Sequence, residues 1–522
     1  MNMKRYILFF CLSTLICLNG CFQDDTTLAT DASRVGEINV QGLKDTSMIA
    51  YAQPLELTAE VAGFADDELT YAWYIYGGQY SKNSEGYRSH PIGEGKKLSY
   101  PVELKIGSYT VVCEVTHKAS GYFTTATFNL NVTSDFSQGF YVLKETADGN
   151  TELDFYNHLK KTTNNDLLAK VLEAPLAGEP RNLSTVFQKT HLDPATATST
   201  HATGLFVAHG DNGCVLFNTT DMSVMFDRTN LQYGEMEADE MPYAMVTFNG
   251  SNYYLSNKGV ATDRCYDDWT SEYATGQLSL PTEAGASGLI QSYNLYGISY
   301  WSQNEHCLMR TTTEYGVFAG CFKIDYEEDY TGLRIDWEKA IPVTSGWNYI
   351  DSENTIWYMF DVPGEGRYMV IIKSVYGKKV KIEEVRLMDP ALHIAKAEII
   401  AGRGKENNVI YCIDDNRLYR YSVTEGSETS LTFDELPGGN ITYLSNLFYG
   451  EEFDFIVVGV QNGDKYTMAM YGIAGGQPAG TPVHTFTGTG EVKKVCYVIP
   501  YNGTGINSSP FTRYPDPPTI PY

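Results

Sequence analysis

Residues 455–473 read FIVVGVQNGDKYTMAMYGI, two apolar runs that are separated by the turn sequence Asn-Gly-Asp. Asn-Gly between two such runs is the strongest short signal for a β-hairpin, because both central residues of the turn need positive φ angles. Residues 409–423 repeat the pattern around the turn sequence Asp-Asp-Asn. The turn residues Asn416 and Asn462 lie 46 residues apart, close to the roughly 40–50 residues of one four-stranded propeller blade.

Shorter stretches of the same kind occur earlier in the chain, at residues 205–217, 253–260 and 315–324. Short strands at this spacing predict a β-propeller over residues 139–507, with about seven blades and six to eight allowed. A closed ring of sheets also removes the edge strands that promote aggregation of long β-proteins. Three consecutive β-sandwiches are the alternative for this region. Residues 508–522 contain five prolines and are predicted to form an extended tail.

Residues 34–133 show the alternation of a smaller β-domain. Leu69, Tyr71, Trp73 and Ile75 occupy every second position, which places them on one face of a strand. Similar alternation recurs in the later segments of this region, between turns rich in Gly and Asp. About 100 residues with a Trp in a central strand predict an immunoglobulin-like β-sandwich. The whole chain is therefore expected to be all-β, a sandwich followed by a propeller.

Two stretches of the sandwich region resemble a known family. The sequences LTYAWYI (residues 69–75) and GSYTVVCEVT (residues 107–116) are similar to the Y-x-W and G-x-Y-x-V skeleton of polycystic-kidney-disease (PKD) domains. The following GFYVLKE (residues 139–145) resembles the continuation seen in Bacteroidetes PKD-like family lipoproteins. The resemblance implies an architecture, and it carries no catalytic residues that transfer to this chain.

The first residues have the pattern of a secretory signal. Lys4 and Arg5 precede an apolar run at residues 7–18, which is too short for a bilayer span of about 20 residues. The run ends in Leu-Asn-Gly-Cys, which resembles a bacterial lipobox. The resemblance implies a signal peptide over residues 1–20 and an acylated Cys21 at the mature N-terminus. An ordinary cleaved signal with a chance cysteine is the alternative.

Residues 21–33 are polar and form a predicted acidic tether. Asp24 and Asp25 follow soon after Cys21, and this resembles the signal that sends Bacteroidetes lipoproteins to the outer face of the outer membrane. The resemblance implies a protein at the outer membrane, anchored in the lipid bilayer through Cys21 and facing the outside of the cell. The alternative is a solvated linker that carries no sorting signal.

The charge and motif content restrict the function. The chain carries a net charge of −26, which argues against nucleic-acid partners because phosphates require Lys and Arg. Neutral partners such as sugars remain compatible. The sequence lacks HExxH, paired CxxC, P-loop and GxSxG motifs, so we predict no catalytic residue, no cofactor and no metal site. Residues 148–154 have the oxygen spacing of a calcium loop without its Gly and Glu, and a plain interdomain turn is the preferred interpretation.

Seven cysteines follow Cys21, an odd number at wide spacings. Several lie in apolar runs, which indicates small buried side chains rather than a disulfide framework. A disulfide between Cys307 and Cys321 across a hairpin stays open.

Aromatic residues in polar loops are the best candidates for a binding site. Sugar rings stack their C–H faces on Trp and Tyr, and nearby amides and carboxylates bind the hydroxyls. The candidate ligand-binding residues are Trp269, Tyr273, Trp301, His306 and Trp347. Packing within or between blades is the alternative for each of them.

These features favour a non-catalytic, surface-anchored lipoprotein that binds glycan as an accessory of a polysaccharide-uptake system. Its partners would be the bilayer, a glycan and an outer-membrane transporter complex. An adhesin or structural protein that binds another protein is the first alternative. A propeller-type polysaccharide hydrolase or lyase is the second, because the 64 acidic residues offer many pairs of carboxylates.

Overall fold

The computed structural model of the chain describes residues 38–498 except for a set of internal gaps. The gaps are residues 52, 194–197, 249–250, 264–274, 282–289, 294–296, 315–316, 351–352, 375–379, 405–407 and 449–453. Within the described ranges, none of the helices has the length and apolar character that crossing a membrane requires. The described chain consists mainly of β-strands, with very little helix. It divides into two compact units, residues 38–48 with 53–133, and residues 49–51 with 134–498.

The first unit is a β-sandwich. A five-stranded sheet has the order β2-β9-β8-β5-β6, and two smaller sheets pair β3 with β7 and β1 with β4. The strands are β1 (Val40–Gln41), β2 (Thr46–Ile49), β3 (Leu55–Thr58), β4 (Glu60–Val61), β5 (Leu69–Gly77), β6 (Pro91–Glu94), β7 (Lys97–Tyr100), β8 (Gly107–His117) and β9 (Phe123–Thr133). Single 3₁₀ turns cover Asp66–Glu68 and Tyr87–Ser89.

The alternation in β5 determines which side of the five-stranded sheet is buried. Leu69, Tyr71, Trp73 and Ile75 are all buried, and the residues between them are exposed or half-buried. Trp73 is completely enclosed, and its indole N–H donates to the carbonyl oxygen of Gly95 at 2.8 Å. The predicted sandwich is therefore confirmed, with the central Trp as its largest core side chain.

The second unit contains most of the chain. Its first half consists of β10 (Gly139–Glu145), β11 (Thr151–Asn157), β12 (Thr162–Asn164), the short helix α1 (Leu167–Leu172), β13 (Pro180–Asp193), β14 (Thr198–His209), β15 (Gly213–Asn218), β16 (Val224–Asp227), β17 (Pro242–Phe248), β18 (Ser251–Ser256), β19 (Gly259–Thr262), β20 (Ile290–Tyr293), β21 (Gly297–Ser302), β22 (Cys307–Glu314) and β23 (Val317–Lys323).

Its second half consists of β24 (Ile341–Ile350), β25 (Glu353–Val362), β26 (Gly366–Ser374), β27 (Lys381–Leu387), a 3₁₀ turn (His393–Ala395), β28 (Ile399–Ala401), β29 (Arg403–Gly404), β30 (Val409–Asp414), β31 (Arg417–Ser422), β32 (Ser427–Leu431), β33 (Asn440–Phe448), β34 (Asp454–Asn462), β35 (Lys465–Ala474), β36 (Gln477–Thr489) and β37 (Glu491–Val498).

The described strands of this unit form seven sheets, which we number I to VII along the chain. Sheet I has the order β12-β11-β10-β37, sheet II β13-β14-β15-β16, sheet III β17-β18-β19 and sheet IV β20-β21-β22-β23. Sheet V has the order β27-β26-β25-β24-β29, sheet VI β28-β30-β31-β32 and sheet VII β33-β34-β35-β36. The last strand, β37, pairs antiparallel with β10, so the end of the described chain completes the first sheet.

Apolar side chains fill the space between successive sheets. Each sheet shares a buried cluster with the next sheet along the chain, and sheet VII shares one with sheet I. In the cluster between sheets VII and I, the rings of Tyr156 and Phe486 stack at 4.4 Å. The predicted propeller architecture is therefore confirmed, and the described residues contribute seven sheets to it.

A buried ion pair within sheet I is hydrogen-bonded to sheet VII. Lys144 on β10 and Asp154 on β11 are 1% and 0% exposed, and their Nζ and Oδ1 atoms lie 2.7 Å apart. Asp166 accepts a second contact from Lys144 Nζ at 2.7 Å. Tyr466 on β35 donates to Asp154 Oδ2 at 2.5 Å. The pair is thus fully hydrogen-bonded, which is the condition under which buried charges are tolerated.

Candidate functional site

Three connections meet at one end of sheets IV and V. They are the β21–β22 turn at residues 303–306, the segment 324–340 between β23 and β24, and the β25–β26 turn at residues 363–365. All strands of sheet IV are antiparallel to their neighbours, so the end of β21 and the end of β23 lie on the same side. The antiparallel order of β24, β25 and β26 places the third turn beside the start of β24.

Trp301 forms the floor of this region. It is 2% exposed and lies 4.9 Å from the ring of Phe360 in sheet V. The indole of Trp337 packs against both rings, at 5.7 Å from Trp301 and 5.4 Å from Phe360. Trp337 itself is only half-buried. One side of this indole is therefore anchored on the core while the remainder faces solvent.

Tyr326 packs against the same buried cluster as Trp337. Its hydroxyl accepts the backbone N–H of Ile335 at 3.3 Å. Burial raises the pKa of Tyr326, so the hydroxyl stays protonated at neutral pH. The backbone N–H of Ile382 on β27 donates to the carbonyl oxygen of Asp325 at 3.0 Å and ties the segment to sheet V.

Tyr330 extends the row of aromatic rings. Its ring lies 4.9 Å from that of Tyr326 with a tilt of 34°. Its hydroxyl donates to the carbonyl oxygen of Leu333 at 2.7 Å and accepts the N–H of Val385 at 3.1 Å. The guanidinium of Arg334 lies over both rings, at 4.4 Å from Tyr326 and 5.7 Å from Tyr330. Cation–π contacts of this kind fix a long side chain in one orientation.

His306 lies at the opposite end of the row. It has a φ of 45° in the tight β21–β22 turn, and its ring meets that of Trp301 edge-on at 6.5 Å. Its side chain is exposed. We call the group formed by His306, Trp301, Trp337, Tyr326, Tyr330 and Arg334 the aromatic strip.

Carboxylates surround the aromatic strip. Glu327, Glu328 and Asp329 are exposed between its two tyrosines. Glu365 accepts the Tyr368 hydroxyl at 2.6 Å, and this hydrogen bond raises the pKa of Tyr368 to about 12. Aromatic faces beside polar acceptors are the combination that holds a sugar ring, because the ring has an apolar C–H face and a rim of hydroxyls.

The structure separates the five site residues that the sequence predicts. Trp301 and His306 both belong to the aromatic strip, Trp301 as its buried floor. Trp347 on β24 is 3% exposed and lies 6.0 Å from the ring of Phe448. Trp269 and Tyr273 lie outside the described residues. Trp301 and Trp347 both fill the core around sheets IV and V, which is the packing role that the sequence left open for each of them.

Four members of the aromatic strip are absent from the sequence prediction. They are Tyr326, Tyr330, Arg334 and Trp337, all within the sequence YEEDYTGLRIDW at residues 326–337. The signal was present, since three aromatics stand among four acids in this stretch. The segment has no strand alternation, however, so its sequence alone gives no indication of which side faces solvent.

Two other sequence features are resolved by the structure. Residues 148–150 lie in the β10–β11 hairpin turn, where Gly149 N–H donates to the carbonyl oxygen of Thr146 at 2.9 Å. They connect two strands of one sheet, so the interpretation as an interdomain turn is wrong. Across the described part of the chain, no group of three or more His, Cys, Asp or Glu side chains is placed to hold a metal ion. Cys307 and Cys321 form no disulfide, so the disulfide alternative is wrong.

Comparison with known proteins gives matches to part of the sequence and to the fold. No curated protein matches the chain. A quinonprotein alcohol dehydrogenase-like protein from Bacteroides thetaiotaomicron is 13% identical, over 88% of this chain and 99% of its own, with a TM-score of 0.46. An auxiliary nutrient binding protein from the same organism is 10% identical, over 79% of this chain and 92% of its own, with a TM-score of 0.30.

A computationally designed protein, Ika8, is 12% identical over 69% of this chain and 97% of its own, with a TM-score of 0.35. No function follows from likenesses at this level. The family comparison agrees with the resemblance seen in the sequence. Residues 22–180, which include the sandwich and the strands β10 to β12, match the PKD-like family.

Proposed function

We propose that this protein is a lipid-anchored protein of the outer bacterial surface that binds glycan without catalysis, as an accessory of polysaccharide uptake beside an outer-membrane transporter. The aromatic strip is the observation that carries the proposal. Its two tyrosine hydroxyls are fixed by hydrogen bonds, its half-buried indole packs on the rings of Trp301 and Phe360, and exposed carboxylates lie next to them.

Preorganised aromatic faces favour binding because little conformational entropy is lost when the ligand arrives. The ring edges of Tyr326 and Tyr330 already have hydrogen-bond partners within the protein. The rings therefore offer mainly their apolar surface, which suits the C–H face of a sugar. The net charge of −26 is compatible with an uncharged ligand and disfavours phosphate-rich ones.

The location and the transporter partner rest on the sequence of residues 1–33, where the lipobox-like Cys21 and the acidic tether are found. Acyl chains on Cys21 would hold the protein at the membrane, since each buried methylene contributes about 0.8 kcal/mol.

A glycan array tests the proposal with the full-length protein in mild detergent. We expect the wild type to bind at least one plant or host polysaccharide and Trp337→Ala to bind it about tenfold more weakly, since losing a stacked indole removes at least about 1 kcal/mol. Tyr233→Ala is the matched control, because Tyr233 is 51% exposed and lies outside the strip. The proposal would be overturned if the folded wild type bound no glycan on the array, or if Trp337→Ala bound with the same affinity as the wild type.

A further inference from the structure

The aromatic strip is longer than a single sugar ring. Its ring contacts follow one another from His306 to Trp301 at 6.5 Å, from Trp301 to Trp337 at 5.7 Å, and from Tyr326 to Tyr330 at 4.9 Å. Trp337 and Tyr326 pack against the same buried cluster, and the N–H of Ile335, two residues before Trp337, donates to the Tyr326 hydroxyl. A ligand that covers both His306 and Tyr330 must therefore extend over several rings.

The strip is exposed at both ends. His306 is exposed at one end and Arg334 at the other. Recognition of a chain end requires buried polar groups that converge on it, and the hydroxyls of Tyr326 and Tyr330 are engaged by the segment's own backbone and by β27 instead. The arrangement thus favours a ligand that passes across the strip.

The local charge limits the ligand further. The segment 324–340 contains six acidic residues against Arg334 and Lys339, and Lys339 is already paired with Asp336 at 2.8 Å. Exposed charges of one sign repel a polyanion over about a Debye length, roughly 8 Å at physiological salt. Uronate-rich or sulfated chains are therefore disfavoured. Arg334, held over two tyrosine rings, is left with N–H groups that suit sugar hydroxyls.

From these observations, and resting on the proposed function, we infer that the aromatic strip binds an internal stretch of an uncharged polysaccharide chain, several sugar residues long, rather than a chain end or a monosaccharide. Trp337 forms the central contact. His306 and Tyr330 contact sugar residues on either side of it.

An oligosaccharide ladder tests this inference. The probes are the monosaccharide to the octasaccharide, prepared from the polysaccharide that the glycan array identifies and titrated calorimetrically into the full-length protein. We expect no measurable binding of the monosaccharide, affinity that rises with chain length to a plateau, and equal affinity after the non-reducing end is blocked by methylation. Full affinity for the monosaccharide or disaccharide, or loss of binding on blocking the end, would overturn the inference.

Variants at the two ends of the strip distinguish binding of a long sugar chain from stacking of a single sugar ring. His306→Ala and Tyr330→Ala are each expected to weaken the longest oligomer about three- to tenfold and to leave the shortest bound oligomer unchanged, whereas Trp337→Ala weakens both. Equal loss on short and long oligomers in the end variants would contradict the inference, as would tighter binding of a polyuronate than of any neutral chain. If the folded wild type binds nothing on the glycan array, the proposed function itself is wrong. If it binds a polysaccharide but its affinity does not change with oligosaccharide length, only this inference is wrong.

Discussion

Among the described tryptophans, Trp337 differs from the rest in its exposure. Four of them are at most 3% exposed, namely Trp73, Trp301, Trp347 and Trp357. Trp337 is half-buried. Burial of an aromatic ring stabilises the fold in proportion to the apolar area removed from water. The same residue type therefore serves the core at four positions and remains available for a ligand at the fifth.

This difference predicts unequal effects on stability. Trp301→Ala is expected to lower the free energy of unfolding by about 3–5 kcal/mol, because it leaves a cavity between sheets IV and V. Trp337→Ala is expected to cost clearly less, since part of its indole already faces water. Urea unfolding of both variants measures the difference. Equal destabilisation would show that Trp337 is a core residue and that its loss affects binding through the fold.

The Lys144–Asp154 pair gives a second prediction at the level of single residues. Lys144→Met is expected to lower the free energy of unfolding by about 3–5 kcal/mol, because it leaves the buried Asp154 carboxylate without its cation. The double variant Lys144→Met with Asp154→Leu is expected to recover much of that loss. Urea unfolding provides the measurement.

Lys339→Met is the matched control for that series, because Lys339 and Asp336 form an exposed pair, 60% and 39% accessible. Exposed pairs contribute about 0–1 kcal/mol. If the two lysine variants lost equal stability, the buried pair would contribute no more to stability than an exposed one.

At the scale of elements, the hairpins were predictable because their turns are encoded locally. Asp415 and Asn416 adopt φ angles of 48° and 59°, and Gly463 adopts 65°, which are conformations that these residue types tolerate best. The β30–β31 turn centres on Asp415 and Asn416, and the β34–β35 turn centres on Gly463 and Asp464. The corresponding turns of sheets VI and VII therefore recur after 48 residues, from 415 to 463, close to the 46 residues between Asn416 and Asn462. The connections between sheets follow no such rule, and the aromatic strip is built mainly from one of them.

A pair of histidines lies at the junction of sheets VII and I, which we call the seam. The rings of His158, after β11, and His484, on β36, lie 5.7 Å apart. Phe140 lies 5.7 Å from His158, Tyr497 lies 5.4 Å from His158, and Tyr156 lies 5.8 Å from His484. Burial lowers the pKa of both imidazoles, and the neighbouring His158 and Lys161 lower that of His484 further.

A histidine whose pKa is lowered on folding binds protons more readily in the unfolded chain. The free energy of unfolding is therefore expected to fall as the pH drops below the ordinary His pKa of about 6.5 and through the lower folded values. Denaturant midpoints at pH 7.5 and 5.5 measure this loss. His158→Phe with His484→Phe should reduce the pH dependence, and His306→Gln, at an exposed site, should not. An unchanged pH dependence in the double variant would exclude the seam as its source.

At the scale of the whole molecule, the last described strand determines the integrity of the propeller. β37 pairs with β10 over residues 139–145 and contributes Val495 and Tyr497 to the cluster shared with sheet VII. Removing residues 491–522 is expected to abolish cooperative unfolding of the second unit and to cause aggregation, because an unpaired edge strand is exposed. Size-exclusion chromatography and thermal unfolding test this.

Removing residues 508–522 alone is the control for that truncation, and we expect the melting temperature to change little. A monomeric, cooperatively folding protein after deletion of residues 491–522 would show that sheet I is stable without β37.

The membrane anchor is a further prediction for the whole protein. Cys21→Ala is expected to abolish palmitate incorporation and to release the protein from the membrane fraction, because the thiol that carries the acyl chains is gone. Added protease is expected to digest the wild-type protein on intact cells. Palmitate labelling of Cys21→Ala, or protection of the wild type on intact cells, would contradict the anchor and the outward orientation respectively.

The pairing of β10 with β37 has a consequence for biogenesis. The first sheet begins about 350 residues before the strand that completes it, so a nascent chain on the ribosome holds an unfinished propeller until β37 has been synthesised. Contacts between residues so distant in sequence also form slowly. The sandwich, whose last strand ends at Thr133, has all its strands much earlier. We therefore expect the sandwich to fold first and the propeller only after β37 has emerged from the ribosome.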